Sequence, residues 1–216
     1  MASKPRIGRR TVIAGAAGVA AAAAATPFLV RSAFADDAQV QAPAIDDCAT
    51  WGAAPPNGTI DTINNPPSFI VVHHAVTANT EDFTREQAHA HARQVQDIHQ
   101  GGNGWTDTGY HFVISRGGFI TEGRHGSLET LNGGTSFVMG AHASGVNDVS
   151  IGFCFEGNYE EATTVPDAQW NSLVELVTYA RSQYGIPNEE IYGHRDHGST
   201  ACPGTTVYNR LPELRG

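Results

Sequence analysis

Apolar residues along this chain come in two rhythms. Near-continuous runs at 69–73 (FIVVH) and 151–155 (IGFCF) have the length and the β-branched and aromatic content of buried strands. Between 84 and about 100 the pattern turns helical, with Thr84 as N-cap, Glu86 in the first turn and Gly101-Gly102 as the stop. A second helix is predicted from 167 to about 184, capped by Asp167, where Trp170, Leu173, Val174, Val177 and Ala180 recur at helical intervals. Segments 110–115 and 119–122, joined by Arg116-Gly117-Gly118, read as a hairpin, and Ile191-Tyr192 as a short strand. Residues 36–49 are polar enough to be a linker, and 123–140 lack periodicity and are expected to form a surface loop beside a groove. Strands interleaved with helices imply an α/β fold, a mixed central β-sheet flanked by helices, in a single domain over 50–216. The sequence holds no internal repeat.

The N-terminus changes the picture of where the protein works. Arg9-Arg10 followed by an Ala-rich apolar stretch from Ala14 to about Val30, then Ala33-Phe34-Ala35, has the layout of a twin-arginine signal peptide over residues 1–35. Cleavage would leave a mature chain from Asp36, secreted to the exterior or the cell wall. The formal charge is −9, and the leader carries Lys4, Arg6, Arg9, Arg10 and Arg31 with no acidic residue, so the mature chain is more acidic still. Such a surface disfavours nucleic acid and anionic membranes as partners. Three cysteines are too few for a disulfide framework. A Cys48–Cys154 bridge stays open beside the alternative of a buried, inert Cys154 thiol.

The candidate chemistry centres on His73, His194 and Cys202. His73 ends the first predicted strand, so its imidazole projects from the end of the core sheet, and Cys202 follows His194 by eight residues. Zinc accepts imidazole nitrogen and thiolate sulfur, and a catalytic zinc site uses three protein ligands with the fourth position open. Residues this far apart do not define a zinc site by themselves. Tyr110, in the segment GWTDTGYHF at 104–112, adds a candidate acid or hydrogen-bond donor between them. His74, next to His73, points to the other face if the strand is still extended there.

Five motifs occur in order: VVHHA, GWxDxGYHF, GAHA, SIGFCFEGNY and GHRDxxxTxCPG. In this the chain resembles the zinc-dependent N-acetylmuramoyl-L-alanine amidases of the peptidoglycan-recognition-protein superfamily, across roughly residues 50 to 215. The resemblance implies Zn2+ held by His73, His194 and Cys202. It implies hydrolysis of the amide between N-acetylmuramic acid and L-alanine in peptidoglycan or muropeptides. A monomer is the separate expectation for the chain. Tyr110 and Thr200 match the family's catalytic positions, where Thr200 stands for a residue that is lysine in some members. His142, His111 and Arg124 match positions near the groove, and the resemblance suggests substrate contacts for them, with Arg124 holding a stem-peptide carboxylate.

Some family amidases carry a general-base glutamate where Cys154 lies here, and Glu156 reads as a structural carboxylate. Among the remaining histidines, His89, His91, His125 and His197 read as solvated, and His99 as packing near the site. The rival reading is a peptidoglycan-binding module without catalysis, since superfamily members that lose a zinc ligand only bind. All three ligands and the tyrosine are present in this chain.

Overall fold

The computed structural model describes residues 40–215. The predicted leader and residues 36–39 lie outside the described residues. In chain order the elements are β1 (Ile45–Asp46), α1 (Cys48–Trp51), β2 (Thr62–Ile63), β3 (Phe69–His74) and α2 (Arg85–Asp97), which a π-helical turn extends over Ile98–Gly102. There follow β4 (Phe112–Ile114), β5 (Ile120–Glu122), α3 (Ser127–Gly133), β6 (Phe137–Val138), β7 (Ser150–Phe155), α4 (Asp167–Tyr184), β8 (Ile191–Gly193) and α5 (Thr205–Tyr208). Six strands form one sheet in the order β1-β5-β4-β7-β3-β8, and β2 and β6 form a small antiparallel pair. β3 runs parallel to both β7 and β8, whereas β4 and β5 are antiparallel, so the sheet is mixed as the pattern implied.

Alternation along the strands sorts the sheet into two faces. Ile70 and Val72 of β3, Phe112 and Ile114 of β4 and Ile151, Phe153 and Phe155 of β7 form the main core with Trp170, Leu173, Leu176, Val177 and Ala180 of α4. The opposite face receives the intervening positions. In register there, His73 of β3 lies beside Cys154 of β7, which lies beside Val113 of β4. The strand that builds the core therefore delivers His73 away from it. His74 turns back toward the core, where its Nδ1 accepts from the Tyr159 amide at 3.0 Å.

The structure corrects several sequence expectations. Residues 45–49, read as linker, are integral: β1 pairs with β5, and the buried carboxylate of Asp46 binds Arg85 and His89 of α2. The 123–140 segment is not an irregular loop but holds α3 and β6, with Leu131 and Phe137 fully buried. Its buried apolar residues are spaced too sparsely to show a period. Asp167 is the first residue of α4 rather than its cap, and Pro166 occupies the cap position. Thr84 does cap α2, its side chain accepting from the Gln87 amide. His91, expected to be solvated, is buried and bonds Thr77 at 3.0 Å, and His89 is occupied by Asp46. All three cysteines are free.

Glu122 at the end of β5 ties the small elements together. Its buried carboxylate accepts from the Cys48 amide at 3.0 Å and the Leu128 amide at 2.9 Å. Both amides sit in first turns, where helical N–H groups have no partner of their own. Glu156 plays the same part elsewhere, accepting from Gln87 at 2.7 Å and from the Arg116 amide at 2.9 Å. That is the structural role expected of it.

Candidate metal centre

Parallel pairing of β3 with β8 places the site. The register Val72↔Gly193 makes His73 and His194 the next pair along, one at the end of a core strand and the other opening the turn after the edge strand. Their ring centroids are 4.6 Å apart. The chain then returns from His194 to Cys202 through a loop closed by the Arg195 amide on the Cys202 carbonyl at 2.8 Å. Cys202 Sγ lies 3.6 Å from His73 Nδ1 and accepts from the His74 amide at 3.4 Å. The ligand atoms of His73, His194 and Cys202 all lie within 4.8 Å of one another.

Burial sets the protonation of these groups. It lowers His73 well below the usual imidazole value, reinforced by His142 and His194, and it lowers His194 as well. Burial pushes the Cys202 thiol up to about 12. Left alone the trio is neutral, and a bound cation would reverse that for the sulfur, since a coordinating thiol is deprotonated. Two neutral imidazoles and one sulfur form a donor set that zinc accepts.

Tyr110 stands over this cluster, with its ring 5.1 Å from that of His73 and 5.3 Å from that of His99. It lies two residues before β4 rather than in the strand, in a bend that Gly109 permits. A Cβ at Gly109 would stand 2.6 Å from the Ala141 carbonyl oxygen, and its amide donates to His99 Nδ1 at 3.0 Å. Burial, with the Cys154 and Cys202 thiols beside it, holds the phenol well above its usual pKa, so at neutral pH it keeps its proton and can donate a hydrogen bond. Trp105 stacks on His99 at 4.7 Å and is partly exposed, making a wall at this edge. Thr200 is exposed, and its Oγ1 accepts from the Cys202 amide at 3.2 Å. Its hydroxyl proton stays available to a partner.

Residues 63–205 match the family described as N-acetylmuramoyl-L-alanine amidase. This chain belongs to that family. It is similar to peptidoglycan-recognition protein SC2 of Drosophila simulans, with 37% identity over 145 residues, 67% of this chain and 72% of the relative. It is also similar to the N-acetylmuramoyl-L-alanine amidase of Mus musculus, with 32% identity over 171 residues, 78% of this chain but 30% of that longer protein. A Drosophila PGRP-LB mutant in complex with tracheal cytotoxin (TCT) shares the fold, with a TM-score of 0.68 and 26% identity over 80% of this chain and 95% of that one.

In this amidase-family chain His73, His194 and Cys202 come together, Tyr110 lies against His73, and Thr200 bonds the Cys202 amide. The three expected to touch substrate do not line the surface. His111 is fully buried; its Nε2 donates to the Val138 carbonyl at 2.7 Å and its Nδ1 accepts from the Gly152 amide at 2.9 Å. With both nitrogens spent on backbone, it ties β6, β4 and β7 together and has no atom left for a ligand. Arg124 is buried and donates to the Thr108 carbonyl at 2.9 Å, with its charge facing Asp107 and Asp61. Its guanidinium is enclosed rather than offered to a carboxylate in a groove. His142 is also buried, and lies 3.0 Å from His73. Asn147, which sequence reasoning passed over, fixes this loop by accepting from the amides of His142 and Ala143 at 2.8 and 2.9 Å. A lone asparagine in a turn gave no signal of that role.

Proposed function

We propose that this chain is a zinc-dependent amidase that hydrolyses the bond between N-acetylmuramic acid and L-alanine in peptidoglycan or muropeptides. The observation that carries this reading is the convergence of His73, His194 and Cys202 within 4.8 Å in a chain of the amidase family. Bound by these three residues, zinc would polarise the scissile carbonyl and lower the pKa of water to about 7.

The chain's own residues supply the rest. Tyr110, kept protonated by burial, donates to the carbonyl oxygen as it gains charge on becoming tetrahedral. Thr200 donates its hydroxyl from the solvent side of the same cluster and, unlike a lysine, brings no positive charge. One of these two hydroxyls relays the proton given up by the attacking water to the departing alanine nitrogen, ending the step protonated as it began. Cys154 sits beside His73, and burial holds its thiol well above the usual value, so it provides no base at neutral pH. That a PGRP-LB mutant is solved with tracheal cytotoxin supports a ligand of that kind here.

Export by the twin-arginine route, with the metal loaded before the folded chain crosses, and action as a secreted monomer belong to the same reading. No helix among the described residues is long and apolar enough to cross a membrane. A parallel assay of turnover and of sedimentation with insoluble peptidoglycan tests it. Cys202→Ala is expected to abolish turnover and keep sedimentation. A wild-type chain that sediments but releases nothing would make the protein a recognition module instead.

A further inference from the structure

His142 is boxed in by glycines. A Cβ at Gly152, in the middle of β7, would stand 2.5 Å from His142 Cγ, and one at Gly140 would stand 2.6 Å from its Cδ2. Glycine inside a buried strand is unfavourable by about 0.5–1 kcal/mol relative to alanine, so the sheet carries a cost at the place where this imidazole lies flat against it. The ring placed there makes two contacts. Its Nε2 faces the Ser150 carbonyl at 3.4 Å, and its Nδ1 faces His73 Nε2 at 3.0 Å.

Hydrogen-bond logic then runs in one direction. A carbonyl oxygen can only accept, so His142 carries its proton on Nε2 and presents a lone pair at Nδ1. That lone pair requires a proton on His73 Nε2. His73 Nδ1 is left bare, and it is the nitrogen 3.6 Å from Cys202 Sγ. We infer that His142 is a positioning residue for the metal centre: the Ser150 carbonyl, acting through His142, fixes His73 in the tautomer whose Nδ1 lone pair faces the cation. The inference rests on the zinc reading of His73, His194 and Cys202, and it replaces the substrate contact expected of His142. It also gives the GAHA motif and the glycine of SIG a common purpose, since one supplies the ring and the other the space for it.

Imidazole nitrogen NMR on the 15N-labelled chain tests this without any substitution. In the metal-free protein both His73 and His142 should show protonated Nε2 and bare Nδ1; a His73 protonated at Nδ1 would overturn the inference. Zinc affinity, measured by competition with a chromophoric chelator, gives a second test. His142→Phe, which fills the space but offers no acceptor, should weaken zinc binding about 10- to 100-fold. His142→Asn, which keeps an acceptor oxygen near the Nδ1 position, should recover most of it. Equal weakening by both variants, or by neither, counts against a hydrogen-bonded relay. A wild-type chain that takes up no zinc would remove the metal reading, while the tautomer measurement would still decide the His73–His142 contact.

Discussion

His73 is the residue through which the rest of the site communicates. It touches Cys202, His194, Tyr110 and His142 and is buried at the end of β3. Tyr110 and Cys202 are separable by measurement because they do different work. Tyr110→Phe removes only the donor, so turnover should fall about 10²- to 10³-fold with zinc content unchanged, as read by steady-state kinetics and metal analysis. Cys202→Ala should lose both metal and turnover. Loss of zinc in the tyrosine variant would show that its hydroxyl is structural.

The grouping of His73, His194 and Cys202 with Tyr110 was legible because the motifs mark those four residues. His142, His111 and Arg124 were expected to meet substrate, and the structure encloses all three. A motif says that a side chain lies near the site, but not whether its polar atoms are already satisfied by backbone.

At the scale of elements, the strands were the most readable part, since burial on both faces leaves a near-continuous apolar run at 69–73 and 151–155. The small helices were not, because α1 and α3 are held by a distant carboxylate rather than by their own amphipathic pattern. Glu122 reaches Cys48 across 74 residues, a distance no local pattern encodes. Glu122→Ala should therefore lower unfolding free energy by about 3 kcal/mol, two charge-assisted bonds being lost and two amides left unpaired. Chemical denaturation reads this directly; a change below about 0.5 kcal/mol, the range of ordinary surface substitutions, would mean that α1 and α3 stand without it.

The buried histidines give the whole molecule a pH dependence. Burial lowers His91, His99 and His111 each to about 4, below an unfolded value of about 6.5. The unfolded chain thus binds more protons between those limits, so stability is full above about 6.5 and is lost as pH falls toward 4. Thermal melts of the metal-free chain should decline through that window; a flat profile from 7 to 4 would show that these imidazoles are not held neutral by the fold.

The N-terminal boundary is a second property of the whole molecule. A chain begun at residue 50, where the domain was expected to start, loses β1, the Asp46 contacts with α2 and the Cys48 amide bond to Glu122. It should melt at lower temperature than a chain begun at residue 40. Equal melting temperatures would return residues 45–49 to the status of linker.

One measurement bears on the central claim more directly than any other. Purified peptidoglycan and muropeptides are incubated with the zinc-loaded chain, with and without a chelator, and the products are read by mass spectrometry. Release of stem peptide with a free L-alanine N-terminus, abolished by the chelator and restored by zinc, is the predicted result. Intact substrate, cleavage at another bond, or release that the chelator does not touch would contradict a zinc amidase built on His73, His194 and Cys202.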